Sequence, residues 1–245
     1  MNPRLRHWRE AATLLLAAGT PGRPPRSPLG PFDYELLLLR RSARSGFMPG
    51  AHVFPGGLAE PADFSDSICT HCTPCSVTTV PDKESLSSFP AVPSDPGRCC
   101  EWSSPPEAIE RFKSQEIWFP PPQFYEFCRL CNFSSLEELQ KFSSERALEG
   151  CERWMPVMLS AADGLIQLLP GDELYPEDPD YTGEKKMIMS TNKKVEDLMK
   201  EAGIFHRIVI KNTNNLAIYV NIQAKYKHIN PLMMQSDNSD YNSRL

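Results

Sequence analysis

The chain has 245 residues, 24 of them proline and eight cysteine, with a formal charge of −5 and a mean hydropathy of −0.40. That length holds one domain with a sizeable core, and a proline share about twice the usual ~5 % breaks the chain into separate pieces. A charge of −5 excludes nucleic-acid binding through a broad basic surface.

Residues 1–9 carry Arg4, Arg6 and Arg9 and lead into the apolar run 11–18. A basic start before an apolar run has the outline of a secretory leader, but Glu10 interrupts the junction and Gly19-Thr20-Pro21 makes a poor cleavage site. The run is also too short to span a membrane. It reads as a first strand behind a basic tail, with a mitochondrial presequence as the alternative. On the strand reading the thiols are reduced and intracellular.

A Pro/Gly/Arg linker follows, then a second apolar run, Tyr34–Arg40, again bounded by breakers, as for buried neighbouring strands. Residues 46–57 hold four glycines and two prolines around a short apolar core. From 63 to 100, Ser, Thr, Pro, Asp and Cys dominate without a period of 2 or 3.6, and disorder is expected. Ser104-Pro105-Pro106-Glu107 opens a short helix. Pro120–Pro122 leads into a helix over 123–133, and Ser135-Leu136-Glu137-Glu138 is a capping box for one that runs to about Glu149 and stops at Gly150. Residues 155–175 read as a hairpin turning at Asp163-Gly164, with a further turn at Pro170-Gly171. A helix over 193–202 precedes a second hairpin, 206–211 with 216–223, and the tail from 233 is polar. Trp118, Phe119, Phe124 and Tyr125 read as packing aromatics.

Cys69, Cys72 and Cys75, with His71 among them, have zinc-like local spacing, and Cys128 and Cys131 supply a second pair. The latter fall in a predicted helix as an i,i+3 pair, which does not suit a knuckle, so the cysteines are read as incidental and no metal ligand is assigned.

The segment 36–57 is the most informative. A strand ends in Leu39-Arg40-Arg41-Ser42, Arg44 follows, then Pro49-Gly50, and Phe54-Pro55-Gly56-Gly57 closes the run. Glycines admit a diphosphate close to the backbone, and arginines at a strand end can take its oxygens in charge-assisted hydrogen bonds. His52 is a further candidate phosphate contact, or a histidine satisfied by local backbone. This pattern resembles the CoA-specific signature upstream of the Nudix box in Nudix hydrolases that cleave CoA and acyl-CoA. Residues 46–57, 117–125, 146–154, 169–175 and 225–228 also resemble vertebrate acyl-CoA diphosphatases of that superfamily, and the likeness covers roughly 5–65 and 101–232.

The resemblance implies an α+β fold: a partial Nudix-type α/β/α sandwich whose mixed sheet is interrupted, with additional C-terminal helices and hairpins. It divides the chain into 1–62 and 101–232 as the two parts of the Nudix-like region, 63–100 as a disordered or replaced segment, and 233–245 as a flexible tail. The activity implied is hydrolysis of the CoA diphosphate to acyl-4′-phosphopantetheine and adenosine 3′,5′-bisphosphate, with Mg²⁺ or Mn²⁺ as cofactor. CoA or acyl-CoA is then the small-molecule partner, with Arg41, Arg44, Gly50, Phe54, Gly56 and Gly57 on the substrate side.

One part of the family pattern is missing. After its Gly-Gly, a Nudix box continues into a helix bearing Arg-Glu-x-x-Glu-Glu-x-Gly, whose carboxylates hold the metal one turn apart on one face. Here Arg9-Glu10 starts correctly but lacks the later glutamates, Glu137-Glu138 lacks the Arg-Glu, and the acids between Gly57 and Trp102 have no helical context. No catalytic residue and no metal ligand can therefore be named, and the chain is expected to be inactive. An alternative transcript and a gene prediction that missed an exon would both produce it, and a non-catalytic binding or interaction protein is the alternative function.

Ser243-Arg244-Leu245 resembles a peroxisomal address on a polar tail, which implies a peroxisomal import receptor as partner and the peroxisome as location, with the mitochondrion as alternative.

Overall fold

A computed structural model describes residues 11–20, 31–58, 77–80, 100–149, 154–180 and 188–232; of residues 12 and 77–80 it describes the backbone alone. The fold is α+β. The described N-terminal elements are β1 (Ala11–Thr13), β2 (Leu15–Gly19), β3 (Tyr34–Arg40), β4 (His52–Val53), β5 (Gly56–Leu58), β6 (Val77–Val80) and β7 (Cys100–Ser103).

The apolar run expected as one strand is two. They part at Leu14, whose N–H donates to Pro55 O at 2.8 Å, so that β1 pairs with β5 while β2 pairs with β3. One stretch thus serves two partners, which periodicity alone does not reveal. β3 has the expected bounds and is the centre of its sheet. Leu36 pairs with both Ala17 and Ser103, and Leu39 with both Val53 and Cys100. Both edges of β3 are therefore occupied, β7 on one and β2 and β4 end to end on the other. Burial of Leu36, Leu37 and Leu38 in sequence follows from that central place. β6 runs parallel to β2, Leu15 opposite Val77, inside the stretch 63–100 where no regular structure was expected. The remainder of that stretch, 63–76 and 81–99, lies outside the described residues, as does 233–245.

Three helices follow: α1 (Pro105–Lys113), α2 (Pro121–Leu130) and α3 (Leu136–Arg146). Proline in the first turns of α1 and α2 costs no hydrogen bond, because those N–H groups have no intrahelical acceptor. α2 accordingly starts earlier than the sequence reading placed it. The capping box of α3 is present: Ser135 Oγ accepts from Glu138 N at 3.1 Å, and Glu138 Oε2 accepts from Ser135 N at 3.4 Å. Asp33 Oδ1 accepts from Leu136 N at 2.6 Å and ties the start of α3 to the entry of β3.

The C-terminal elements are β8 (Val157–Ser160), β9 (Leu165–Leu168), β10 (Ile188–Ser190), α4 (Val195–Glu201), β11 (His206–Asn212) and β12 (Asn215–Val220). Their sheet has the order β10-β8-β9-β11-β12, antiparallel except for β10 on β8. Both predicted hairpins are there. This sheet is a wall between two apolar clusters. Ile208, Leu216 and Ile218 join Phe112, Phe119, Phe124 and Phe127 of the α1–α2 side, with Phe112 and Phe119 stacked at 4.3 Å. Val157, Leu159, Ile166, Leu168 and Val209 pack on the other face with Leu198 of α4.

Candidate functional site

The loop 41–51 leaves β3 and returns as β4. Arg41 N donates to Ala51 O (2.8 Å) and Gly50 N to Arg41 O (3.2 Å), which closes the loop at its base. Gly50 has φ +73°, a left-handed conformation that favours glycine, and Met48 shares it at φ 47°. Arg41 turns inward: its Nε donates to Phe47 O and its Nη2 to Ser45 Oγ, each at 2.9 Å, and its guanidinium stands 5.6 Å from the Phe47 ring. Two of its five N–H groups are thus committed to holding the loop. Arg44 is exposed, and its guanidinium makes no hydrogen bond or ion pair among the described residues. Phe47, which sequence reasoning did not single out, is 66 % exposed at the loop tip.

Three of the expected substrate-side residues, Phe54, Gly56 and Gly57, lie outside this loop. Phe54 is in the core at 3 % exposure, its ring 4.9 Å from Phe127. Gly56 and Gly57 do not turn sharply into a helix; they extend β5, opposite Thr13 and Ala12. A Cβ on Gly57 would meet nothing within 4 Å. Pairing with β1 holds this stretch extended through Leu58, and the residues that follow lie outside the described set.

His52 is buried at the loop's return. Its N–H donates to Trp118 O at 2.7 Å, and its ring faces Trp118 O and Glu101 Oε1, both at 3.4 Å. Glu101 of β7 in turn accepts from Arg111 Nη2 of α1 at 2.8 Å, and Arg111 Nε donates to Glu116 at 2.7 Å. Burial raises the Glu101 carboxyl, but the Arg111 hydrogen bond and the His52 and Arg111 charges outweigh it, so its pKa lies below the ordinary value. The histidine is satisfied by its surroundings and fastens β4 to β7 and α1. Neither Glu101 nor Arg111 was visible as a partner in the sequence, since each stands about 50 or more residues from His52.

Among the described residues no three His, Cys, Asp or Glu side chains converge as a metal site. Cys128 lies buried on α2 and Cys131 at its C-cap, and burial raises both thiols, Cys131 to about 12, which keeps them protonated and poor ligands. Cys69, Cys72, Cys75 and His71 lie outside the described residues. The described residues do not fit the Mg²⁺ or Mn²⁺ that the resemblance implies.

A second polar cluster joins the two halves. Tyr125 of α2 donates to His206 Nε2 of β11 at 3.0 Å, because His206 Nδ1–H is given to Pro170 O at 2.6 Å. The Trp154 ring stands edge-on to both. Asp172 receives Arg207 through Nε at 2.6 Å and Nη2 at 2.7 Å, with both side chains fully buried. The signal in the sequence was an arginine inside the apolar run 205–210, a charge that burial obliges to be paired.

A family model described as the NUDT19 Nudix domain matches residues 8–96 and, in a second stretch, 85–130; one described as the NUDT19 C-terminal domain matches 158–221. The chain is 48 % identical to a protein of Gallus gallus named acyl-coenzyme A diphosphatase NUDT19, over 378 residues that cover 100 % of both chains. It is 33 % identical to the protein of that name from Xenopus laevis, over 379 residues, 98 % of this chain and 100 % of the relative. It is 32 % identical to the one from Homo sapiens, over 364 residues, 94 % and 96 % of the two. Each alignment is longer than the 245 residues of this chain, so each passes through long gaps on its side. No solved structure gives a significant match.

Proposed function

The chain belongs to the NUDT19 family of Nudix proteins, and on that premise we propose that it retains a CoA-type ligand loop but not the metal-dependent hydrolysis of the diphosphate. The observation that carries this reading is in the sequence: nothing after Gly57 supplies Arg-Glu-x-x-Glu-Glu on one helical face. Two further facts support it. The Nudix-domain model matches in two stretches that overlap at 85–96, and the alignments with full-length relatives open long gaps in this chain. A chain that skips an internal portion of its family's Nudix domain produces both.

The loop 41–51 then supplies recognition. Arg41 stiffens it from within, and Arg44 is exposed with its donors available to a phosphate. Adenosine 3′,5′-bisphosphate should bind the purified chain, and Arg44→Ala should weaken it roughly tenfold, as for one charge-assisted hydrogen bond. With decanoyl-CoA and Mg²⁺ or Mn²⁺, chromatography should find no adenosine 3′,5′-bisphosphate above a blank. Metal-dependent release would overturn the loss of catalysis; absence of nucleotide binding would overturn the retained loop. The reading also carries the peroxisomal address: a fluorescent protein ahead of Met1 should be punctate with a peroxisomal marker and become diffuse when Ser243, Arg244 and Leu245 are deleted.

A further inference from the structure

The face of the C-terminal sheet turned toward α2 is covered unevenly. Residues directly opposite in neighbouring strands share a face, and one such row runs Ile208, Gln167, Met158, Ile188 from β11 outward to the edge strand β10. Ile208 is 1 % exposed within the aromatic core, Met158 is half-buried, and Ile188 is 53 % exposed. Leu165, two residues before Gln167 and on the same face, is 39 % exposed. An apolar strip thus opens from the core to the sheet edge.

Gln167 stands at its inner end. It is 7 % exposed, yet its Oε1 has no hydrogen-bond partner among the described residues. The apolar periodicity of Leu165-Ile166-Gln167-Leu168-Leu169 asks for no amide there. A buried amide oxygen without a donor carries its full desolvation penalty, so a donor supplied by a ligand at this end of the strip would be stabilised there. Gln123 Oε1, the other such oxygen among the described residues, belongs to α2, the helix over the inner half of this face.

We propose that this strip seats the acyl-pantetheine arm of the ligand: an amide N–H of pantetheine donates to Gln167 Oε1, and the acyl chain lies along Met158, Leu165 and Ile188. The inference rests on the CoA-type ligand proposed above and adds the place of the arm. An amide donor followed by an alkyl chain matches the order of the strip, one buried acceptor and then apolar side chains of rising exposure.

The test uses the full chain with labelled Met and Ile methyl groups and two probes. S-decanoyl-pantetheine carries the arm without the nucleotide, and adenosine 3′,5′-bisphosphate the reverse. The arm probe should move the methyl signals of Met158 and Ile188, and the nucleotide should leave them in place. Gln167→Met, which keeps the volume and removes the acceptor, should weaken the arm probe roughly tenfold and leave the nucleotide unchanged. Ile188→Ser, at an exposed position that the fold tolerates, should weaken S-decanoyl- but not S-acetyl-pantetheine. Equal affinity of Gln167→Met and wild type for the arm probe, or methyl signals that do not move, overturns the strip whatever the nucleotide does. Arm binding without nucleotide binding supports the strip and overturns only the loop.

Discussion

Replacing Asp172 by asparagine tests the polar centre of the C-terminal half. The carboxylate accepts four hydrogen bonds: Arg207 Nε (2.6 Å) and His206 N (2.9 Å) on Oδ2, Arg207 Nη2 (2.7 Å) and Leu174 N (2.9 Å) on Oδ1. An asparagine keeps the shape but offers one acceptor oxygen and no charge, so Arg207 is left as a guanidinium with 0 % exposure and no counter-charge. Breaking such a pair from one side costs about 3–5 kcal/mol, against the ~5–15 kcal/mol that stabilises a domain. With a urea dependence of roughly 1–3 kcal/mol per molar, the midpoint should fall by at least about 1 M. Urea unfolding at pH 7 followed by far-ultraviolet circular dichroism measures it. The double variant Asp172→Leu with Arg207→Met removes both charges and should recover most of the loss. A cost below about 1 kcal/mol for Asp172→Asn, or a double variant as damaged as the single one, would refute the argument.

Glu101 gives a prediction about acid. Its pKa is lowered from 4.5, burial being outweighed by Arg111 and His52, so its contribution is present above the ordinary glutamate range and is lost as pH falls through the lowered value. Thermal midpoints from pH 7 to pH 3 should therefore fall more steeply for wild type than for Glu101→Gln, and parallel curves would contradict the ion pair. The thiols give a prediction about reactivity. Cys100 is exposed, whereas burial raises Cys128 and Cys131, so iodoacetamide at pH 8 should modify Cys100 well before the other two, as read by peptide mapping. Equal rates would mean that α2 and its C-cap do not bury these thiols.

Local signals carried most of the regular structure. Tyr34–Arg40 stands between breakers, the capping box of α3 uses residues three apart, and Asp163-Gly164 marks its own hairpin. The sequence was less informative where one segment answers to two partners or to a distant one. The division of 11–18 at Leu14 depends on Pro55, and the strand Val77–Val80 depends on parallel pairing with β2, across more than fifty residues. The candidate loop was legible in its glycines and arginines, yet its anchoring was not, because Glu101 reaches His52, and Arg111 reaches Glu101, only after β7 and α1 have packed. Phe54 shows the same limit: the sequence places its ring beside glycines, and its packing against Phe127 depends on where α2 lies.

β11 touches both apolar clusters with alternate side chains, Ile208 toward the aromatic helices and Val209 toward α4. A sheet with one wet face tolerates a misplaced strand by exposing a few methyl groups. Here a slip of one residue would exchange the two sets, driving the Arg207 charge among the phenylalanines and pulling Ile208 against α4. Single-residue insertions between His206 and Ile210 should therefore be among the least tolerated in the chain. The register already shifts between Ile210 and Asn212, and an extra residue at Lys211 can leave as part of the turn. The tolerance of this strand to length change is thus graded along a few peptide units, from forbidden at its buried start to permitted at its hairpin end.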